Sequence, residues 1–490
     1  MEGLGWPSLP CGVHRGNHAA LLARMPRSST EPKSQRPAPS CVKSITTIAA
    51  RMMLGAVAMS STAAADGLRI EDAIRSAWTK NPGLAAGAHQ VDAARAEAQA
   101  AGDGHWPTLA LTAKGIGTSE PVGVFGIKLD EQRITQADFN PVTLNSPGPV
   151  GGIGLGAAIV VPIWMGGRII AGANAADAQA GAEARSQERR RQEMALAVVQ
   201  AYFGLEVAAQ GVRYAEDVLE QARETERFVR ERNQKGLLLD ADSARATAFR
   251  AQAEAELAAM TQQLSSARAA LSMLTGMDAD KAELLTSVET ATTVGPAGLG
   301  REQGKPGTAA TGRPDVEAAR LRSLAAEEGI GVSRAAVLPE IFAQAGVDTL
   351  RGPNFHGATW WSAALVVRWQ IGVSSFRSLQ AAEARAAAAA SAARWQEVQA
   401  NREADEARRA VATADARVLS AREAVTASES ARSLRQARFR DGLLPLTDVL
   451  DAEAALAGAR ALLLRSQLET RIARAQLDLA LGLPVEGVQS

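Results

Sequence analysis

Two aspartates three residues apart, Asp448 and Asp451, lie in the stretch G-L-L-P-L-T-D-V-L-D-A over residues 442–452, between two very long alanine-rich runs. At positions i and i+3 of a helix the two carboxylates fall on one face. There, with Thr447, they put oxygens beside the unpaired N–H groups of a helix start. Gly442 supplies backbone freedom for a sharp reversal, and Pro445 pre-sets φ for a first helical turn. An earlier copy, G-L-L-L-D-A-D, starts at Gly236. An offset of 206 residues carries Gly236 onto Gly442, Asp242 onto Asp448 and Gly276 onto Gly482. One unit is used twice, and each copy reads as the tip of a helical hairpin.

Little else in the chain could do chemistry. Gly152, Gly154 and Ala157 match a dinucleotide fingerprint loosely, but a strand follows where a helix should begin. His89, His105 and His356 have no ligand spacing among themselves, and Arg189-Arg-Arg191 reads most simply as a solvated helix face. No serine sits in a nucleophile elbow and no phosphate loop is present. The reading is of a chain that is not an enzyme and needs no cofactor or metal.

The elements that hold the tips are constrained by composition. Alanine dominates, aromatics are only 4%, and 2 Tyr and 9 Phe are too few to fill one thick core. Helix packing through small side chains is expected instead. Residues 1–65 read as a removable leader. Residues 1–42 are Pro/Ser/Arg-rich without periodicity, and after Lys43 and Arg51 a short apolar run ends at Ala63-Ala-Ala65, an A-x-A export site. A membrane anchor needs about 20 apolar residues, far more than this run offers. Cys11 and Cys41 both precede the site, so the mature chain has no disulfide and no cysteine metal site. The zero formal charge hides an asymmetry: without the leader, 46 basic residues face 51 acidic ones, which gives no electrostatic reason to bind nucleic acid. No other long apolar stretch stands out, so a membrane crossing would have to use β-strands.

The doubling extends through the chain. Asn81-Pro82 and Arg313-Pro314 each open a helix, and Pro107 and Pro339 each end one, with a common offset of 232 residues. The expected units are 66–293 and 313–490, joined by a Gly/Pro-rich connector at 294–312. After each second proline the period changes to two. Leu109, Leu111 and Ala113 share a face opposed by Lys114; Ile341, Ala343, Ala345 and Val347 share one opposed by Glu340, Gln344 and Asp348. A second alternating strand follows in each copy, Leu155 to Ile163 and Trp361 to Trp369. About ten residues suits a tilted membrane strand, and Trp106, Trp164, Trp361 and Trp369 near the strand ends suit an interfacial girdle. A soluble β-layer packed on helices fits the same alternation. In a membrane, four strands cannot close a barrel around a wide passage, so several chains must combine. The first copy's extra residues between its strands belong to an external loop. Beyond the strands, residues 168–235 and 375–441 hold no Pro and scarcely a Gly, enough for helices of about 100 Å. In the last helix Val449, Leu456, Leu463, Thr470 and Leu477 alternate with small residues three positions on, and a second stripe, Ala454, Ala461, Leu468 and Ala475, offers another packing face.

These pieces together resemble the TolC-like outer-membrane efflux proteins over essentially the whole mature chain. The resemblance is carried by L-R-I-E-D-A-I-R-S-A-W-T-K-N-P ending at Pro82, Trp106-Pro107-Thr-Leu, Pro162-Ile-Trp-Met-Gly-Gly-Arg168, the 442–452 stretch and Leu481-Gly482. It implies a mainly α fold with a small β part. In a homotrimer, long antiparallel hairpins would form an α-barrel and four strands per chain a shared 12-stranded transmembrane β-barrel. It implies an outer-membrane exit duct of a tripartite efflux or type I secretion system with a long periplasmic portion. Its partners would be a periplasmic adaptor, an inner-membrane pump and outer-membrane lipid. By the resemblance, Asp448 and Asp451, with Asp242 on the partner hairpin, ring the entrance, while Gly236, Leu237, Gly442 and Leu443 dock the adaptor. The chain departs from the family where a well-known member locks its entrance with Tyr and Arg; Phe439 and Leu444 stand there. The alternative, a soluble periplasmic coiled-coil adaptor or scaffold, should carry a single hairpin within β-rich domains.

Overall fold

The computed structural model describes residues 68–278, 284–285, 312–352 and 356–485. The leader, both cysteines and all of the 294–312 connector except Gly312 lie outside the described residues. Two short helices, α1 (Ile70–Lys80) and α2 (Pro82–Gly102), lead into strand β1 (Thr108–Thr118). A loop carrying α3 (Pro121–Asp130) and α4 (Pro141–Asn145) precedes β2 (Val150–Trp164). The hairpin of α5 (Arg168–Gln234) and α6 (Asp240–Thr275) follows. Then α7 (Pro314–Ala335), β3 (Glu340–Arg351) and β4 (Thr359–Arg368) lead to a second hairpin, α8 (Val373–Arg440) and α9 (Leu446–Ala480). Two hairpins with strands between the helices are not the single-hairpin plan of an adaptor.

The strands form one antiparallel meander in the order β1-β2-β3-β4. Its register aligns the apolar residues across all four. Ile159 lies opposite Leu109 and Ala345, and Ala345 opposite Ala363; Ala157 lies opposite Leu111 and Val347, and Val347 opposite Trp361. A bulge at Pro162 shifts the pairing so that Trp164 lies opposite Ile341 and joins the apolar row instead of the polar one. This face is bare: Leu111 is 76% exposed and Leu365 67%. A continuous apolar sheet face of this extent requires an apolar surrounding.

The helices α5 and α8 run 67 and 68 residues without interruption, about 100 Å at 1.5 Å per residue. Each is accompanied in two stretches: α6 and α9 pair with α5 and α8 toward the tips, while α2 and α7 pack against them toward the sheet. The seams are narrow. Ala393, Ala400, Ala404, Ala414 and Ala421 of α8 and Ala452, Ala459, Ala473 and Ala480 of α9 are buried. The second stripe of α9 is packed at Ala475 and partly at Leu468, but exposed at Ala454 and Ala461. There the wall opens into a cleft of about 570 Å³ between α5, α6 and α9. The largest apolar cluster sits where α1 crosses α5, joining Ile70 and Ile74 to Val198, Val199, Tyr202 and Phe203. By length and composition α5 could cross a membrane, which corrects the expectation that no such stretch exists; the burial of these four residues in the cluster assigns its apolar side to packing.

The doubled helix starts do the same mechanical work with different chemistry. Asn81 reaches the Leu274 carbonyl (3.3 Å) and the Met194 sulfur (3.9 Å) through its side-chain amide. At +232, Arg313 reaches the carbonyls of Ala480 (3.2 Å) and Ala400 (3.5 Å), the +206 equivalents of Leu274 and Met194. Arg313 is 1% exposed and is balanced by Asp315 at 2.7 Å and Glu403 at 2.8 Å. Burial works to raise the Asp315 carboxyl, but the hydrogen bonds from Arg313 and Gln396 and the positive charges of Arg189 and Arg313 together outweigh it and hold the group below its usual range. The Arg189–Arg191 run is not the solvated face expected from the sequence. Arg189 donates to the Leu479 carbonyl at 2.8 Å, Arg190 to Gln90 at 3.1 Å, and the Arg191 carbonyl accepts from Trp78 Nε1 at 3.0 Å. Two arginine side chains and one backbone carbonyl of this run thus tie the end of α9, α2 and α1 to α5.

Replacing Arg313 with Ala removes the ion-pair partner of part-buried Asp315 and the side-chain donor to the Ala480 carbonyl, at a cost of about 3–5 kcal/mol. The thermal unfolding midpoint of detergent-solubilised R313A should fall clearly, while that of R409A, an exposed arginine of α8, should not move. Because the folded Asp315 pKa is depressed, this stabilisation is complete above the ordinary carboxylate pKa and is lost as pH falls through the folded value. Acid titration of the midpoint should therefore lose less in R313A than in the unaltered protein.

Candidate functional site

Both hairpin tips are built by the same backbone device. At the end of α5, Gly236 N–H bonds the Asn233 carbonyl (2.8 Å) and Leu237 N–H the Arg232 carbonyl (2.9 Å). At the end of α8, Gly442 N–H bonds the Phe439 carbonyl (3.0 Å) and Leu443 N–H the Arg438 carbonyl (2.9 Å). This is the Schellman closure, and it needs positive φ, which Gly236 (72°) and Gly442 (76°) supply. The leucine after such a glycine ordinarily packs on the third residue from the helix end. Here those residues are Arg232 and Arg438, so Leu237 and Leu443 are left 64% and 71% exposed. Leu239, also at the first tip, is exposed as well.

The acids differ from the capping role that the sequence suggested. Pro445 and Leu239 are the N-cap residues of α9 and α6, and neither helix has a side-chain cap. Asp448 and Asp242 are half-buried and Asp451 is exposed. Among the described residues none of the three carboxylates has a hydrogen-bond or ion-pair partner; only the Asp448 carbonyl is engaged, by Arg435 at 3.4 Å. Most other acids along the hairpins are paired, as in Arg417–Glu469, Arg474–Asp415 and Arg250–Glu226. The three carboxylates stand unpaired in tips that also carry Arg232, Lys235, Arg435, Arg438 and Arg440.

An apolar cluster joins the two tips, and two arginines cross between them. Phe439 is buried with Val229, Ala246, Leu446 and Val449, and meets Phe228 edge to face with centroids 5.7 Å apart. Arg232 lies over the Phe228 ring at 4.8 Å and donates to the Arg440 carbonyl at 3.2 Å, crossing from α5 to α8. Two turns away, Arg432 bonds Glu453 and Gln221, both at 2.6 Å. Leu444 is half-buried. Phe228, Arg232 and Arg432 escaped the sequence reading. Their available signal was scarcity: two of only 9 Phe fall within about two turns of the two tip glycines.

The tryptophans mark the two ends of the sheet. Trp106, Trp164 and Trp369 lie at the end that joins the helices, and Trp361 at the other. Trp369 Nε1 donates to the Val337 carbonyl at 3.1 Å, and Trp106 and Trp361 are exposed. Among the described residues no group of His, Cys, Asp and Glu is placed to hold a metal ion.

The family model described as "Outer membrane efflux protein" matches residues 73–277 and 306–483. No curated protein sequence matches the chain. Among solved structures, CusC is similar at 19% identity and TM-score 0.72, covering 84% of this chain and 92% of its own. VceC of Vibrio cholerae is similar at 22% and 0.67, covering 85% and 96%, and the CmeC channel of Campylobacter jejuni at 16% and 0.70, covering 87% and 88%. With a bare apolar sheet face at one end and two long hairpins at the other, the chain belongs to the outer membrane efflux protein family: it is an outer-membrane exit duct with a long helical periplasmic part, and its family and fold are those of channels.

Proposed function

We propose that three copies of this chain assemble into a continuous duct that passively conducts substrate from a periplasmic adaptor and an inner-membrane pump to the exterior. The observation that carries the reading is the sheet. Its apolar rows are in register, and its edges, β1 and β4, are open and antiparallel to each other. The β4 of one copy therefore meets the β1 of the next in the antiparallel sense, and three copies give 12 strands with no free edge. The exposed half of the second stripe of α9, at Ala454 and Ala461, leaves the helical wall unfinished within one chain. Trp106, Trp164, Trp361 and Trp369 serve as interfacial anchors.

In this assembly Asp448, Asp451 and Asp242 surround the periplasmic entrance and favour cations. Phe439 takes over the lock as an apolar clasp with Phe228 and Arg232. A clasp of this kind is little weakened by salt, because its aromatic contact is not screened. Gly236 and Gly442 shape the tips, and Leu237 and Leu443 dock the adaptor. Each leucine covered by a partner is worth about 1.5–3 kcal/mol.

Mature protein in planar bilayers should give discrete conductance steps; no conductance, together with a water-soluble monomer in the absence of detergent, overturns the duct. In D448N/D451N channels the cation preference should fall about fivefold, equivalent to about 1 kcal/mol, the energy of one close charge pair in water. If the preference is unchanged, these acids do not line the entrance. F439A removes a buried aromatic worth about 3–5 kcal/mol and should raise resting conductance, while F439Y should not. Finally, L237D/L443D should keep its conductance yet lose crosslinking to the adaptor in cells; crosslinking at the unaltered level would remove both leucines from the docking surface.

A further inference from the structure

We propose that the β1–β2 loop, residues 119–149, folds into the outer mouth of the barrel and narrows the exit, and that Glu131 is the positioning residue that seats it. The inference rests on the reading above that the odd-numbered apolar face of the sheet meets lipid. The opposite, even-numbered face carries Thr112, Lys114, Gln344 and Asp348 and therefore lines the duct.

Glu131 lies on that inner face. Gly152 and Gly352 continue the even-numbered alternation at the outer ends of β2 and β3. A Cβ built on Gly152 would stand 3.0 Å from Glu131 Oε1, and one on Gly352 only 2.5 Å from it. The carboxylate thus occupies the space that two side chains would take, and its own side chain is fully buried. Arg133 Nε donates to Oε2 at 2.6 Å, while Oε1 has no hydrogen-bond partner among the described residues. Beside it the Asp130 carbonyl accepts from Ala358 N–H at 2.8 Å, tying the loop to the β3–β4 end.

Burial follows the same parity. At the outer end Leu350, on the inner face, is 3% exposed, whereas Ile153 on the opposite face is 61% exposed. What covers the inner face there is α3, which packs on β2 and buries Val124 and Ile127. The loop is a built object in its own right. Phe125 and Phe139 meet edge to face at 5.8 Å, Lys128 bonds Asp138 at 2.7 Å, and Asp138 closes a capping box with Thr135. Hydrogen bonds from Lys128 first and Thr135 next lower the Asp138 pKa to about 2, so this fastening persists in mildly acidic surroundings. Glycine at 152 and 352 opens the cradle, and the shortest way to fill it is from the duct side.

The test uses the mature channel, which by the export reading carries no cysteine of its own, with single cysteines introduced and a membrane-impermeant maleimide applied from outside. Leu350→Cys should label slowly. It should label about tenfold faster or more when Glu131→Ala unseats the loop, or when residues 121–147 are replaced by an Asn-Gly turn. Glu131→Gln, which keeps an acceptor for Arg133, should retain most of the protection. In bilayers the loop-replaced channel should admit larger polyethylene glycols from the outer side than the unaltered channel. Equal labelling of Leu350→Cys in all variants, or an unchanged polymer cutoff, overturns the proposal. Rapid labelling of Leu365→Cys, on the opposite face, overturns instead the barrel reading on which the proposal rests.

Discussion

The structure depends on strand register. A slip of one residue in any pairing would send a strand's apolar residues to the polar face and Lys114, Gln344 or Asp348 to the other. Four strands with Leu, Ile, Val and Ala at alternate positions specify one solution, and the sheet adopts it from Leu109 through Ala363. The single irregularity, the bulge at Pro162, works in the same direction, because it brings Trp164 into the apolar row at the end where the strands give way to helices. The helices then leave one end of the sheet as continuous extensions of strands whose facing is already fixed.

The second constraint is the junction where the short helices meet the long ones. Asn81 and Arg313 occupy equivalent places and hold one equivalent carbonyl, of Leu274 and of Ala480, one with an amide, the other with a guanidinium balanced by two acids. The conserved quantity between the halves is the carbonyl that must be held, not the residue that holds it. A charged donor can be buried there because Asp315 and Glu403 balance it.

Much of this was legible in the sequence because it rests on local pattern. Period-two alternation located the strands, proline placed the starts of α2 and α7, and the paired glycines marked the tips. The glycines are readable because positive φ is a local requirement that few other residues meet. What escaped depends on residues far apart in the chain. Phe228 meets Phe439, and Arg189 meets the Leu479 carbonyl, across more than 200 residues, so no window of sequence contains the pair. The oxygens of Asp448 and Asp451 suggested caps because the local pattern is that of a helix start; the structure leaves their carboxylates unpartnered. The bulge at Pro162 was equally invisible, since a two-residue alternation carries no mark of a one-residue insertion.

The alanine seams of the long helices have a mechanical consequence. A leucine knob locks into its hole, and sliding it out forfeits tens of close contacts. A methyl group gives up far fewer, so the alanine layers of the seam resist shear weakly, while Val411, Val418, Leu456 and Leu477 between them hold the register. The ion pairs strung between α8 and α9, Arg474–Asp415, Arg417–Glu469, Arg460–Glu429 and Arg432–Glu453, are long-armed and can follow a displacement. Where alanine layers face each other the wall yields to a small twist more readily than where Val and Leu interlock, and the long-armed pairs stay closed through it.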